Sequence, residues 1–75
     1  MYSPEQIRSI IRQFTDRDVA TNESLFSTGL LDSFSLPDLI TALEQQLGIQ
    51  IPDSDLNPRT FDSVELIVAY LNRQG

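Results

Sequence analysis

The chain of 75 residues lacks cysteine, histidine and lysine, and it contains only three glycines. Without cysteine there are no disulfides, and without cysteine or histidine there is no structural zinc site, so hydrophobic packing alone must hold the fold. The same absences remove the usual neutral-pH base, the thiolate nucleophile and the Schiff-base amine. We therefore expect a protein that is not an enzyme.

Positive charge is also scarce, because 11 acidic residues face five basic ones and the formal net charge is −6. Such a chain repels nucleic acid and anionic lipid, and its arginines are scattered along the sequence instead of forming a stripe. These arginines are Arg8, Arg12, Arg17, Arg59 and Arg73. We expect no nucleic-acid partner and no membrane partner, and we expect basic protein surfaces instead.

Long apolar runs are missing as well, since no stretch approaches the roughly 18 residues needed to cross a bilayer. The first residues show neither a basic region nor an apolar region of a signal peptide, so we expect a cytoplasmic protein. The length predicts a single domain over residues 1–75. Met1 lies directly before the first predicted helix, which favours a stand-alone protein.

Helical periodicity dominates what is present. Ser3, Pro4 and Gln6 form an N-cap, a first-turn proline and a capping-box partner. The apolar stripe that follows predicts helix one over residues 4–15. From residue 16 to residue 31 the periodicity disappears, which predicts a long loop whose apolar residues pack over the core.

A second stripe predicts helix two, which ends near Leu47 because Gly48 is suited to the left-handed position after a helix. Its start is open, because Pro37 lacks an N–H donor. Either the first turn is distorted or regular helix begins near Ser35.

The last predicted helix follows a polar segment, residues 53–60, in which we expect one short helical turn. Asp62 is expected as its N-cap, with Glu65 as capping-box partner and Phe61 packed on Leu66. This helix should end near Asn72 or Arg73. With no strand signal, the fold class is an all-α, small four-helix bundle with a long first loop and a short third helix.

One motif resembles a calcium-binding loop, because Asp53, Asp55 and Asn57 match the first three ligand positions of an EF-hand. The pattern fails where a glycine and a bidentate glutamate belong, since those positions hold Pro58 and Val64. A divergent calcium module would fold only with calcium. We interpret the segment as a polar turn and expect no metal site.

Two Asp-Ser pairs stand before predicted helices, at residues 32–33 and 62–63. The second pair is interpreted as helix capping. For the first pair, local spacing leaves both capping and a functional role open.

The chain resembles the acyl and peptidyl carrier proteins, most closely from Leu25 to Tyr70. The segments that carry the resemblance are residues 25–26 (LF), 29–34 (GLLDSF), 47–53 (LGIQIPD) and 57–64 (NPRTFDSV). In many carriers a glycine lies three places before the modified serine and a leucine directly after it, where this chain has Leu30 and Phe34. The GLLDS form is similar to that of D-alanyl carriers and other stand-alone carriers.

The resemblance implies that Ser33, with Asp32 as its motif neighbour, receives 4′-phosphopantetheine from coenzyme A through a phosphopantetheinyl transferase. Acyl, aminoacyl or peptidyl cargo would then be held as a thioester on this arm. The implied partners are that transferase, an adenylating or acyl-loading ligase, and downstream acyl-transferring or modifying enzymes. The alternative is a helical adaptor that binds proteins non-covalently.

The family's usual docking face is helix two. Its solvent side here is expected to offer Asp38, Thr41 and Glu44, together with Gln45, and Phe34 is a candidate apolar contact beside the arm. Because this face is only mildly acidic, an aminoacyl, peptidyl or specialised acyl pathway is favoured over fatty-acid synthesis.

Overall fold

Three α-helices form the body of the protein in a computed structural model that describes residues 2–16 and 18–74, without the side chains of Ser33 and Gln74. The helices are α1 (Pro4–Ile11), α2 (Leu36–Leu47) and α3 (Val64–Gln74). Two short 3₁₀ segments complete the secondary structure, and we name them the Ser33 turn (Ser33–Ser35) and the Asp53 turn (Asp53–Asp55). The predicted all-helical architecture with its long first loop is confirmed, and its short third helix is a single 3₁₀ turn.

Helix α1 begins where the sequence predicts. The Gln6 N–H donates to Ser3 Oγ at 3.4 Å, and the Ser3 N–H donates to Gln6 Oε1 at 2.8 Å, which completes a capping box. The predicted end at residue 15 is wrong, because regular helix ends at Ile11. Beyond it the chain tightens into a turn in which the Phe14 N–H donates to the Ile11 carbonyl at 2.8 Å.

Helix α2 combines the two starts that the sequence left open. The Ser33 turn provides an irregular first turn, and regular helix begins directly after it at Leu36. Pro37 is therefore the second helical residue, where the missing N–H breaks no intrahelical bond. Gly48 ends the helix with a φ of 66°, and its N–H donates to the Glu44 carbonyl.

Helix α3 begins one residue later than Asp62 capping would require. Ser63 caps it instead, because Ser63 Oγ accepts the Leu66 N–H at 3.2 Å, so the predicted role of Asp62 as N-cap is wrong. Phe61 is fully buried and packs edge-on against Tyr70, with 5.1 Å between ring centroids, whereas Leu66 is 45% exposed. Helix α3 ends at Gln74, one or two residues beyond the predicted end.

One hydrophobic core joins all three helices, with α1 packed against both α2 and α3. The long loop contributes Val19, Leu25 and Leu31 to this core, each at most 4% exposed, which confirms that the loop packs over the bundle. No helix among the described residues is long and apolar enough to cross a membrane.

Candidate attachment site

The Ser33 turn is held at its start by the preceding aspartate. Asp32 Oδ1 accepts the Phe34 N–H at 3.0 Å, and the Asp32 carbonyl accepts the Ser35 N–H at 2.8 Å. The first Asp-Ser pair therefore does cap a helical turn, as one of its two interpretations predicted. The backbone of Ser33 lies inside this turn, and its side chain lies outside the described part of the chain.

The turn lies at the protein surface. Asp32 is exposed, and Phe34 is 86% exposed, the most exposed large hydrophobic side chain among the described residues. Leu36, two residues further on, is only 6% exposed and belongs to the core, as its helical spacing predicted. The chain thus passes from a solvent-facing turn to a buried residue, Leu36, within three residues. This burial fixes the C-terminal end of the turn against the core.

The chain reaches the turn through a compact segment that we name the approach loop, residues 24–31. The Leu31 N–H donates to the Leu25 carbonyl at 2.7 Å, which closes the loop between two buried leucines. Gly29 has a φ of 78°, a value that other residues rarely adopt, and its N–H donates to the Phe26 carbonyl at 3.2 Å. Asp32 follows directly, so the approach loop determines how the chain enters the Ser33 turn.

Asp62, from the second Asp-Ser pair, holds this loop. Its Oδ2 accepts the Ser24 hydroxyl at 2.6 Å and the Ser27 hydroxyl at 3.2 Å. Its Oδ1 accepts the N–H groups of Phe26 at 2.8 Å and Ser27 at 3.3 Å. This contact cannot be predicted from neighbouring residues, because the donors lie 35 to 38 residues earlier in the chain than Asp62.

The electrostatics of Asp62 agree with that geometry. Burial on its own raises the pKa of the Asp62 carboxyl, but the hydrogen bonds from Ser24, Phe26 and Ser27 outweigh burial and leave the pKa below its ordinary value. The carboxylate is therefore charged at neutral pH. Each of its hydrogen bonds has an ionised acceptor, which makes it stronger than a bond between neutral groups.

The backbone joins the same two regions. The Leu25 N–H donates to the Asp62 carbonyl at 2.5 Å, and the Glu65 N–H donates to the Thr21 carbonyl at 2.9 Å. The second of these bonds satisfies an N–H in the first turn of α3, where no intrahelical acceptor exists. The start of α3 and the long loop are thus built against each other.

Three of the four predicted docking residues lie on accessible surface. Phe34, Asp38 and Thr41 are exposed along the turn and the first half of α2, and the Thr41 hydroxyl donates to the Pro37 carbonyl at 3.0 Å. Glu44 differs, because it is half-buried and its Oε2 accepts the Ile51 N–H at 2.8 Å. Glu44 therefore holds the segment after α2 against the helix.

The segment that resembles a calcium loop uses its oxygens internally. Asp55 Oδ2 accepts the Tyr70 hydroxyl at 2.5 Å, and Asn57 Oδ1 accepts the Arg59 N–H at 2.9 Å. Among the described residues, no group of three or more histidine, cysteine, aspartate or glutamate side chains is arranged to hold a metal ion. The first of these hydrogen bonds joins the Asp53 turn to α3, and the second closes a local turn in the segment between them.

Comparison with known families shows which class of protein this chain resembles. The family profile described as "Phosphopantetheine attachment site" matches residues 5–71, which span α1, the loop, the Ser33 turn, α2 and most of α3. The match covers far more than half of the chain and includes both Asp-Ser pairs.

Individual relatives agree with this match. The D-alanyl carrier protein 1 of Lactiplantibacillus plantarum is 37% identical over 65 residues, covering 84% of this chain and 81% of that protein. The D-alanyl carrier protein of Enterococcus faecalis is 34% identical over 67 residues, covering 85% of this chain and 86% of that protein. That of Bacillus pumilus is 33% identical over 69 residues, with 88% of each chain covered.

This chain belongs to the family of phosphopantetheine-binding carrier proteins. It is a carrier that bears a phosphopantetheine arm, not an enzyme, and the predicted family, cofactor and function class are confirmed. The structure fits such an arm, because the residues directly before and after Ser33 are exposed and the Ser33 turn stands at the N-terminus of a 12-residue helix. An anionic phosphodiester there meets the positive end of the helix dipole.

Proposed function

We propose that Ser33 is the attachment residue and that the arm carries an aminoacyl group, with D-alanine as the first candidate. One observation supports the choice of serine above all others, namely the contrast between the two Asp-Ser pairs. Ser63 is 7% exposed and its hydroxyl oxygen accepts the Leu66 N–H, whereas the residues directly before and after Ser33 are exposed. A transferase active site can reach only a serine that stands at the surface.

Attachment needs no base from this chain. The Ser33 hydroxyl oxygen forms a bond to the phosphorus of coenzyme A that bears pantetheine, and the pyrophosphate bond breaks. Adenosine 3′,5′-bisphosphate leaves, and a base on the transferase accepts the hydroxyl proton, since this chain has no histidine, cysteine or lysine. When bound, the arm supplies a thiol that holds the cargo as a thioester.

The cargo is proposed from the relatives. The three proteins compared above are named D-alanyl carriers, and this chain aligns with each over more than four fifths of both lengths. The partners would then be a phosphopantetheinyl transferase, an adenylating ligase that activates D-alanine, and a downstream acyl-transferring enzyme. Because loading draws on coenzyme A and ATP, we place this step in the cytoplasm.

These partners are proposed to dock on Phe34, Asp38 and Thr41, with Glu44 at the far edge of the same helix face. Phe34 offers an exposed apolar contact beside the attachment turn, and Asp38 adds negative charge to that of Asp32 and the future phosphodiester. A basic partner surface complements this charge and speeds the encounter. Within the proposed face, Glu44 contributes least, because its carboxylate is already bonded to the Ile51 N–H.

Intact-protein mass spectrometry tests the attachment residue. The protein is incubated with coenzyme A and a broad-specificity phosphopantetheinyl transferase, and compared with Ser33→Ala and with the matched control Ser63→Ala. We expect one phosphopantetheine mass gain in the parent protein and in Ser63→Ala, and none in Ser33→Ala. A gain retained in Ser33→Ala would overturn the assignment of Ser33.

A loading assay tests the cargo separately. The arm-bearing protein is incubated with ATP, D-alanine and the D-alanine-activating ligase of Lactiplantibacillus plantarum, and separately with ATP, a short fatty acid and an acyl-loading ligase. Each rate is divided by the rate of that ligase on its own carrier. The proposal predicts that the D-alanine ligase loads this protein at least tenfold faster on this scale, with a hydroxylamine-sensitive mass gain. Equal or faster loading by the acyl ligase would contradict a dedicated D-alanyl carrier and leave the attachment at Ser33 intact.

A further inference from the structure

Asp62 stands one residue before the cap of a helix, yet none of its hydrogen bonds serves that helix. All four donors to its carboxylate come from Ser24, Phe26 and Ser27, at the start of the approach loop. Helix α3 has its own cap in Ser63, and its Glu65 N–H bonds to Thr21. The hydrogen bonds of the Asp62 carboxylate therefore stabilise the approach loop and not the start of α3.

A short chain of hydrogen bonds leads from Asp62 to the attachment turn. The Asp62 carboxylate binds Ser24 and Phe26, the two chain neighbours of Leu25. The Leu25 carbonyl in turn accepts the Leu31 N–H at 2.7 Å. The next residue is Asp32, whose carboxylate fixes the Phe34 N–H at 3.0 Å. Hydrogen bonds from Asp62 to the residues around Leu25 and from Leu31 to Leu25, together with the peptide bond between Leu31 and Asp32, thus connect the second Asp-Ser pair to the first.

The Ser33 turn is oriented by the segments on its two sides. It is three residues long, the Phe34 side chain is 86% exposed, and Leu36 anchors the C-terminal side of the turn in the core. The N-terminal side is fixed by Leu31, which is 4% exposed and is tied to Leu25. A partner enzyme must receive the turn in one orientation, so an unordered approach loop lowers the fraction of molecules that are ready to react.

Resting on the proposed role of Ser33, we propose that Asp62 is a positioning residue for arm attachment. Its carboxylate holds the approach loop in the arrangement that presents the Ser33 turn to the transferase. Asp62 touches neither coenzyme A nor the reacting serine, and its effect is transmitted through Leu25 and Leu31.

The test measures phosphopantetheinyl transfer kinetics on the full chain for four proteins: the parent, Asp62→Asn, Asp62→Glu and Ser63→Ala. Asp62→Asn removes the charge and half of the strong acceptor capacity, and Asp62→Glu keeps a carboxylate on a longer side chain. Ser63→Ala is the matched control, because it weakens the adjacent helix start without removing any acceptor of the loop. Assays are run at a temperature where circular dichroism shows every variant to be fully helical.

We expect Asp62→Asn to lower kcat/KM by about tenfold, mainly through a higher KM, and still to reach complete modification at long times. Asp62→Glu should recover part of the rate, and Ser63→Ala should be within twofold of the parent. Hydrogen exchange at the amides of Phe26, Ser27 and Leu31 should accelerate in Asp62→Asn while the amides of α2 stay protected.

Two results would overturn the positioning role. One is a parent-like kcat/KM in Asp62→Asn together with faster exchange in the approach loop, which would show that loop order does not matter to the transferase. The other is an equal loss of rate in Ser63→Ala, which would assign the effect to general destabilisation of α3. Absence of any modification in the parent protein would instead contradict the proposed function, so the two failures are distinguishable.

Discussion

The two Asp-Ser pairs of this chain have the same two residues and both lie near the start of a helix, but their contacts in the fold differ. The exposed Asp32 carboxylate accepts one hydrogen bond, from the N–H two residues ahead. The half-buried Asp62 carboxylate accepts four hydrogen bonds from a loop that is distant in sequence. Ser63 is buried as a helix cap, whereas the residues directly before and after Ser33 are exposed. A dipeptide thus acquires its role from what packs against it.

The comparison separates stability from accessibility. The second pair lies where α3 meets the long loop, and its contacts hold distant parts of the chain together. The first pair leaves its turn at the surface, and the contacts described for it are local, which suits the proposed role of Ser33 as the attachment residue.

Asp62→Ala should lower the free energy of unfolding by about 2 to 4 kcal/mol, because it leaves the Ser24, Phe26 and Ser27 donors without their charged acceptor. Urea unfolding followed by circular dichroism measures the loss. A change below about 0.5 kcal/mol would mean that water replaces these hydrogen bonds without loss of stability. It would contradict the claim that the second Asp-Ser pair stabilises the fold.

The contribution of Asp62 should also depend on pH with a defined sign. Its pKa lies below the ordinary 3.8 in the folded protein, so the folded state binds the proton less readily than the unfolded state does. The stabilisation is therefore complete above the ordinary pKa and is lost as pH falls through the folded pKa.

Unfolding curves of the parent and of Asp62→Asn between pH 7 and pH 2.5 test this sign. Their difference in unfolding free energy should be constant at neutral pH and should narrow below about pH 4. The other carboxylates are common to both proteins, so their titration cancels in the difference. A difference in unfolding free energy that grows at acidic pH would contradict the claim that the Asp62 carboxylate stabilises the fold in its charged form.

Ser63→Ala should cost about 1 kcal/mol, since it removes the hydroxyl that caps the Leu66 N–H while leaving the approach loop bonded to Asp62. Thermal unfolding of this variant beside the parent gives the value. If the loss equalled that of Asp62→Ala, the cap and the loop contact would be one cooperative unit and not two separable ones.

Asp32→Ala should cost the least, below about 1 kcal/mol, because an exposed carboxylate bonded to one N–H of a short turn exchanges that bond for water. The same unfolding assay reports it. A loss larger than that of Ser63→Ala would show that the attachment turn is part of the stabilising framework, against the division drawn above.

The sequence predicted those features that depend on local chemistry. The capping box of Ser3 and Gln6, the end of α2 at Gly48 and the placement of Pro37 near the helix start follow from neighbouring residues, and the structure confirms them. The family and its arm were predicted from short segments in a fixed order, and the comparisons confirm both.

The features that were missed depend on residues far apart in the chain. Asp62 and Ser63 are both good caps in isolation, and only the position of the approach loop decides that Asp62 binds elsewhere. Glu44 has the spacing of a solvent-facing residue, yet the return of the chain at Ile51 engages it. Helix α1 ends at Ile11 although the apolar spacing continues to Phe14. The tight turn after Ile11 also places Phe14 against the core, so this spacing does not require regular helix.

The most direct test of the difference between the pairs uses the unaltered sequence. After modification with coenzyme A and a phosphopantetheinyl transferase, fragmentation of the intact arm-bearing protein by electron-transfer mass spectrometry locates the added mass along the chain. We predict that every fragment containing Ser33 carries the mass and that fragments containing Ser63 without Ser33 do not. Added mass on a fragment that begins after Ser33 would contradict the account.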